Sequence, residues 1–306
     1  MDTNTYDVTV IGGGPAGLQA ALTLGRMHRS VLLLDSGRYR NDPTGHLHNF
    51  LTRDGTPPAE LRALARAELA AYDTVTVRSG EVATVKPDGE LFVLEVAGGD
   101  RVVARRVLLA TGLRDTLPEV PGLAGLFGSV VAHCPYCHGH EFAGTHVALL
   151  GSGPHVSRVA LLMQEVAARI TVFADGGRLD DETAALLDRE GVAVRPDPVT
   201  GICGSAAGAR VSFASGPDEE VGGMFVTTTL SQSAPFAEQL GLAMLDSGCV
   251  EVDAFGRTSL PGVYAAGDLA HTAAVPMPLA SVLSAAAAGQ LAAVATDMDR
   301  IVAHVG

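Results

Sequence analysis

The sequence predicts an α/β protein made of two nucleotide-type units, and three observations carry that expectation. A glycine-rich turn stands between a short apolar run and a helical pattern at residues 6–35. An imperfect copy of that arrangement recurs at 146–175. The composition, 47% apolar over 306 residues with no Trp, and Ala, Val, Leu and Gly dominant, suits parallel strands buried on both faces and joined to helices by tight turns. A chain of this length can hold two domains.

Taken in order, Tyr6-Asp7-Val8-Thr9-Val10-Ile11 reads as a buried strand, and Gly12-Gly13-Gly14-Pro15-Ala16-Gly17 follows it. Leu18–Arg26 reads as a helix, Ser30–Leu34 as a second strand, and Asp35 closes the unit. This is a βαβ unit with G-x-G-x-x-G at its first turn and an acid about 20 residues on. Gly12 permits the tight turn, Gly14 lets a pyrophosphate approach the backbone, and Gly17 lets the helix pack on the strand. The pyrophosphate then rests on the helix N-terminus, where free N–H groups and the dipole favour anions. Asp35 can accept hydrogen bonds from a ribose.

Glu81–Val103 alternates like antiparallel strands, with turns at Pro87-Asp88-Gly89 and Gly98-Gly99-Asp100. Arg106–Leu109 is a buried strand that ends in the small-residue turn Ala110-Thr111-Gly112. The second unit has a strand at His146–Leu150, the turn Gly151-Ser152-Gly153-Pro154-His155-Val156, a helix at Ser157–Ala168 and a strand at Ile170–Phe173. Its turn is damaged. Val156 replaces the small residue that lets helix and strand touch, and Pro154 and His155 crowd the phosphate position. Gly262–Asp268 is a further strand closing on Gly-Asp, and Pro278–Ala295 reads as a long alanine-rich helix.

His133-Cys134-Pro135-Tyr136-Cys137-His138-Gly139-His140-Glu141 carries the chemistry. Two cysteines at this spacing can form a small disulfide, and nearby positive charge lowers a thiol pKa toward the reactive thiolate. Histidines titrate near neutrality, as a group exchanging protons with a thiol must; His138 and His140 are the candidates, and His133 reads as a local structural residue. Two other readings compete: a zinc site, which lacks a second ligand pair since Cys203 and Cys249 are isolated, and ordinary buried cysteines. No metal is expected.

The formal charge of −13 argues against a nucleic-acid partner, which would need a basic face. No apolar run approaches the ~20 residues of a membrane span. With no leader pattern and few cysteines, a cytoplasmic location is expected.

The motifs Gly12–Gly17, Ala110-Thr111-Gly112, Cys134-x-x-Cys137 and Thr258–Asp268, in this order, resemble the low-molecular-weight thioredoxin reductase superfamily over nearly the whole chain. The resemblance implies two Rossmann-like, three-layer ββα domains. One would be a discontinuous FAD domain at 1–115 and 243–306; the other, inserted at 116–242, would be a degenerate NAD(P)-type domain carrying the dithiol. It implies FAD contacts from Gly12, Gly14, Pro15, Ala16, Gly17, Asp35, Val82, Ala110, Thr111 and Gly112. Gly267 and Asp268 would bind the ribityl-phosphate side, Asn49 would lie near the isoalloxazine, and Ser281 and Val282 would complete the site. Cys137 would face the flavin and Cys134 would exchange with substrate. Homodimers are usual in the superfamily.

The departures matter more. The superfamily's NADPH-binding arginines are replaced by Ala174-Asp175-Gly176, its Arg-Gln beside the flavin by Ala280-Ser281, and its acid after the second cysteine by His138. A carboxylate at 175 repels a 2′-phosphate. Cys134–Gly139 and His48–Pro58 are similar to the thioredoxin-reductase-like dithiol oxidases that close disulfides in gliotoxin, holomycin and romidepsin, although His140 stands where the bacterial members carry tryptophan. That resemblance implies oxidation of a small-molecule dithiol, with O2 as acceptor and H2O2 as by-product, in natural-product biosynthesis or self-protection. The alternatives are an NAD(P)H-dependent or ferredoxin-driven disulfide reductase, and a non-catalytic redox sensor.

Overall fold

The chain folds into two units. One holds Met1–Asp42, Thr56–Arg114 and Leu230–Gly306; the other holds Pro43–Gly55 and Asp115–Thr229. The computed structural model describes residues 5–305, with side chains described through residue 302.

In the first unit β1 (Thr5–Ile11), α1 (Pro15–Arg26) and β2 (Val31–Asp35) form the expected βαβ start. β1 lies parallel to β2, with Val8 opposite Val31 and Ile11 opposite Leu34. Every residue of β2 is buried, so no polar side interrupts its apolar run. α2 (Pro58–Leu69) and β3 (Val75–Ser79) follow, then an antiparallel meander of β4 (Val82–Asp88), β5 (Leu91–Val96) and β6 (Arg101–Leu109). The sequence signals separate an antiparallel stretch ending at Val103 from a buried strand beginning at Arg106. The structure makes them one strand: Arg101–Ala104 pair with β5 while Val103–Leu109 pair with β1.

β7 (Leu113–Thr116) leads into the second unit, followed by β8 (Val131–Ala132), α3 (Pro135–His138), β9 (His146–Leu150), α4 (His155–Met163), β10 (Arg169–Phe173), α5 (Asp181–Arg189) and β11 (Ala193–Arg195). A meander of β12 (Val199–Ser205), β13 (Gly208–Phe213) and β14 (Glu219–Val221) precedes β15 (Gly223–Val226). The parallel sheet runs β11-β10-β9-β15-β8. Parallel sheet, antiparallel meander and flanking helices thus repeat the plan of the first unit. α4 stops at Met163, short of the expected Ala168, and 164–166 form a turn in which the N–H groups of Val166 and Ala167 share the Met163 carbonyl (3.0 and 2.8 Å).

The chain returns through β16 (Thr229–Gln232), α6 (Phe236–Gln239), β17 (Val250–Glu251), β18 (Val263–Ala265), β19 (Ala270–His271) and α7 (Val282–Val305). β18 joins β6, so the parallel strands of the first unit run β3-β2-β1-β6-β18. The return falls at Leu230, ahead of the expected 243, because Phe236, Ala237, Leu240 and Leu242 are buried in the core of the β4–β6 meander. Likewise 43–55 belongs with the dithiol unit, for reasons of local bonding given below.

α7 begins after Ser281, whose hydroxyl accepts the Ser284 N–H (3.0 Å) as an N-cap, leaving Pro278 outside the helix. Its alanines have a purpose. Ala292, Ala293 and Ala295 share one core with Ala16, Ala20 and Ala21 of α1, and a Cβ on Gly289 would overlap the Ala16 carbonyl. Only small residues let two helices approach this closely.

Candidate functional site

The parallel strands of the first unit end on one sheet edge: β1 in Gly12–Gly17, β2 in Asp35, β6 in Ala110–Gly112, and β18 in Ala266–Asp268. Open α/β sheets bind ligands at this edge. Gly12 has φ 114° and donates its N–H to the Leu34 carbonyl (2.8 Å), and a side chain there would run into the Ala110 carbonyl. A Cβ on Gly17 would overlap the Gly12 carbonyl. Gly14 differs, since nothing in the protein lies within 4 Å of a Cβ built there. Its missing side chain leaves space for a ligand rather than for packing. No side chain caps α1, and Pro15 at its start has no N–H to satisfy, so the remaining orphan donors face that space.

Asp35 is buried and accepts the Gly37 N–H (3.1 Å), the Tyr39 hydroxyl and the Arg66 guanidinium. A carboxylate offers about four lone-pair positions, so about one remains for a ribose hydroxyl. Burial, with the Asp35 charge, pushes the Tyr39 hydroxyl up to about 12, which keeps it a donor. Beside them opens a cleft of about 460 Å³ lined by Asp35, Gly37, Tyr39, Arg62, Arg66 and Glu81. Val82, buried, follows Glu81 at the start of β4.

Thr111 and Gly112 are half-buried, Gly112 at φ 69°, and the Gly112 carbonyl accepts the Ser233 N–H (3.2 Å). Asp268 is held by Arg40 (2.9 Å), both side chains being largely buried. Gly267 has φ 89°, and a Cβ there would sit 3.0 Å from Ala16 and 3.7 Å from Ala285, so the Ser281-Val282 end of α7 lies beside the glycine turn. Sequence reasoning missed three contributors. Gly13, the unassigned "x" of the motif, must lack a Cβ because one would collide with the Asp35 carboxylate. Arg40 and Arg66 carry no local signal at all.

In the second unit Cys134 and Cys137 are joined as a disulfide, with Cα atoms 5.3 Å apart. Pro135 starts the single turn of α3, and the N–H groups of Cys137 and His138 both donate to the Cys134 carbonyl (3.1 and 3.2 Å). Gly139 closes the turn onto the Pro135 carbonyl (2.7 Å). His138 is half-buried against Phe142, with ring centroids 6.4 Å apart. Burial lowers its pKa from the ordinary 6.5, outweighing the Gly128 backbone and Glu141, which favour the cation. Burial therefore favours the neutral ring.

The segment 43–55 packs on this turn. Thr44 Oγ lies 3.4 Å from His138 Nε2, and the Asn49 amide donates to the Tyr136 carbonyl between the two cysteines. His48 approaches Glu141 (3.4 Å) and Asp54 (3.5 Å). His140 is exposed, and the Asn49 N–H holds the Asp54 carboxyl below the usual range. The structure thus brings Cys134, Cys137, His138 and Asn49 together and leaves His140 on the outer side. His133 stacks on Phe127, with centroids 5.8 Å apart. Among the described residues no cluster of His, Cys, Asp and Glu is arranged to hold a metal ion.

The second glycine turn is filled by the protein itself. The His155 ring stands over Gly151 and Gly153, at 3.5 and 3.1 Å from Cβ atoms built there, and Val156 is completely buried. Asp175, exposed and at φ 52°, accepts the Val199 N–H (2.7 Å) through one carboxylate oxygen.

A Cys-x-x-Cys disulfide in one unit and a dinucleotide cradle in the other are the equipment of a disulfide oxidoreductase. Comparison with known proteins agrees. Residues 6–297 match the family of pyridine nucleotide-disulphide oxidoreductases, and the chain belongs to that family. It is 34% identical over 307 residues to "Thioredoxin reductase sirT" of Leptosphaeria maculans, covering 93% of this chain and 91% of that protein. Among solved structures it is similar to HlmI (35% identity, TM-score 0.90, 98% of this chain and 94% of that one). It is similar also to an oxidoreductase from Agrobacterium tumefaciens (34%, TM-score 0.89, 97% and 99%). The fold is that of thioredoxin reductase, and FAD is the cofactor of such flavoproteins. The open cradle at Gly14, the uncapped α1 and the cleft at Asp35 fit it.

Proposed function

We propose that this chain is an FAD-dependent dithiol oxidase that closes a small-molecule dithiol to an intramolecular disulfide, with O2 as final acceptor and H2O2 as by-product. The observation that carries this reading is the self-filled second glycine turn, where the His155 ring covers Gly151 and Gly153 and the side chain of Val156 is completely buried, against the phosphate bed a nicotinamide nucleotide needs. Electrons then have to enter from a thiol. His138 accepts the proton of one substrate thiol, and the resulting thiolate attacks Cys134 Sγ. The Cys134–Cys137 bond breaks and Cys137 leaves as thiolate. The second substrate thiol attacks the substrate sulfur of the mixed disulfide, the bond to Cys134 breaks as the cyclic disulfide forms, and Cys134 leaves as a thiol with the proton that the second substrate thiol gives up. Gly12–Gly17, Asp35, Thr111, Gly112 and Asp268 would hold FAD, which would supply a two-electron acceptor for the reduced cysteine pair and would itself be reoxidised by O2. Both cysteines are required, so Cys134→Ser and Cys137→Ser should each abolish turnover.

The setting we propose is the cytoplasm, in biosynthesis of or self-protection against a sulfur-containing natural product, supported by the resemblance of Cys134–Gly139. Among the described residues no helix is long and apolar enough to cross a membrane. A homodimer is proposed as well, supported by the exposed stripe of Leu283, Leu291, Val294, Met298 and Ile301 along α7. Light scattering that gave a monomer mass at micromolar concentration would reject it.

A second reading, an NAD(P)H-driven disulfide reductase, is favoured by the names of the fungal relatives. One anaerobic experiment separates the two. Bleaching of the flavin by dithiothreitol alone, with colour restored by air, supports the oxidase. Rapid bleaching by NADPH or NADH rejects it in favour of the reductase.

A further inference from the structure

We infer that Arg66 and Tyr39 are positioning residues for the flavin cofactor: together they occupy one carboxylate oxygen of Asp35, Oδ2, and leave the other, Oδ1, to accept a single hydroxyl of the adenosine ribose of FAD. The inference goes beyond the dithiol-oxidase reading, since FAD has to be held in whichever direction electrons flow. α2 supplies the geometry. Arg62 and Arg66 stand at i and i+4 and so share one helix face. Nη2 of Arg66 donates both to Asp35 Oδ2 and to the Tyr39 hydroxyl oxygen (2.9 Å). A guanidinium cannot accept, so the single hydrogen of the Tyr39 hydroxyl goes to the carboxylate, and Oδ2 is again the atom it reaches. Burial and the Asp35 charge push that hydroxyl up to about 12, so it keeps its hydrogen through the neutral range. Each carboxylate oxygen carries about two lone pairs. Both on Oδ2 are taken, whereas Oδ1 accepts only the Gly37 N–H (3.1 Å) and keeps about one.

The carboxylate is held in this orientation from several sides. Asp35 is buried, and Gly13 lies so close that a Cβ there would overlap Oδ2. Tyr39 is fixed in its turn. The Arg62 guanidinium lies 3.7 Å from the centre of the Tyr39 ring and is itself tied to Asn41 (3.0 Å) and Asp42 (2.8 Å). Asp35, Tyr39, Arg62 and Arg66 all line the cleft of about 460 Å³, and an acid at the end of the second strand of a βαβ unit is where a ribose hydroxyl is bound. A carboxylate without these partners would offer both oxygens and could take both ribose hydroxyls. This one offers a single lone pair, aimed by its neighbours.

The test uses full-length protein stripped of flavin and titrated with FAD, with FAD analogues lacking the 2′- or the 3′-hydroxyl of the adenosine ribose, and with FMN, which has no adenosine. Binding is read from the change in flavin fluorescence. Removing one of the two hydroxyls should weaken binding about tenfold, and in Asp35→Ala that loss should vanish. Arg66→Gln should weaken FAD about tenfold and Tyr39→Phe about threefold, with FMN affinity unchanged. Because Arg66 acts through Asp35, adding Arg66→Gln to Asp35→Ala should weaken FAD by about twofold at most. If Asp35→Ala erases a loss seen with both analogues, the grip is on two hydroxyls and the inference is overturned. A wild type indifferent to both hydroxyls overturns it as well. So do additive effects of Arg66→Gln and Asp35→Ala, or an equal loss of FMN, either of which makes Arg66 a support of the fold alone. Should Arg66→Gln give no soluble protein, Tyr39→Phe carries the same comparisons.

Discussion

His138 follows the cysteine pair directly, so the proposed base and the cysteine pair were legible together in the sequence. Because burial sets its pKa below 6.5, the dithiol half-reaction should be flat above that pH and fall on acidification, with a midpoint below 6.5. His138→Ala should slow it about 100-fold or more while the protein stays yellow. Stopped-flow bleaching with dithiothreitol between pH 5 and 9 checks both statements, and a midpoint above 6.5 would remove His138 as the base. Arg40 was not legible. Its partner Asp268 lies 228 positions away, and nothing near Arg40 marks it. Losing a charge-assisted bond between largely buried groups costs about 1.5–3 kcal/mol. Arg40→Ala should therefore weaken FAD affinity by about 10-fold or more, measured as recovery of flavin fluorescence on dilution. Unchanged affinity would mean that Asp268 needs no partner to bind.

Strand–turn–helix elements were readable wherever one periodicity governed a whole stretch, as in β1, β2, β9 and β10. β6 was divided because its two ends serve different neighbours, and period alone cannot report a strand that pairs on both sides. The departure of the second glycine turn from the nucleotide-binding pattern was visible in Val156 and Asp175. The folding of the His155 ring over Gly151 and Gly153 was not, since it depends on a rotamer. Val156 is now a core residue, completely buried with Val159, Ala160 and Met163. Val156→Gly should accordingly lower stability by about 2–4 kcal/mol through cavity formation and loss of helix propensity. It should yield no NADH or NADPH binding, because His155 and Asp175 remain in place. Urea melts and nucleotide titration of the variant test the two parts, and tight nucleotide binding would show that Val156 alone closes the site.

Across the whole molecule the acid response should be uneven. Burial holds His138, His146 and His155 below their ordinary 6.5, and all three belong to the second unit. Between the folded and unfolded pKa values the unfolded chain binds more protons, so stability rises with pH there. It is complete above about pH 6.5 and is lost progressively as pH falls toward the folded values. Hydrogen exchange at pH 7.5 and 5.5 should show the second unit losing protection first; earlier loss from the first unit would contradict this. The two-unit plan and its internal symmetry were legible in the two glycine turns. The joins were not, because Phe236 and Leu242 choose their core by packing.

The way the units share the chain also sets an order of assembly during synthesis. The second unit needs only Pro43–Gly55 and Asp115–Thr229, so all of its parts exist once residue 229 has left the ribosome. The first unit lacks β18 and α7 until residues 263–305 emerge. The later-starting unit should therefore be the first to mature, at translation rates of about 5–20 residues per second. Through that interval α1 has no α7 to cover its alanine face. Truncating α7 should yield a protein whose dithiol unit is native and whose flavin cradle is not.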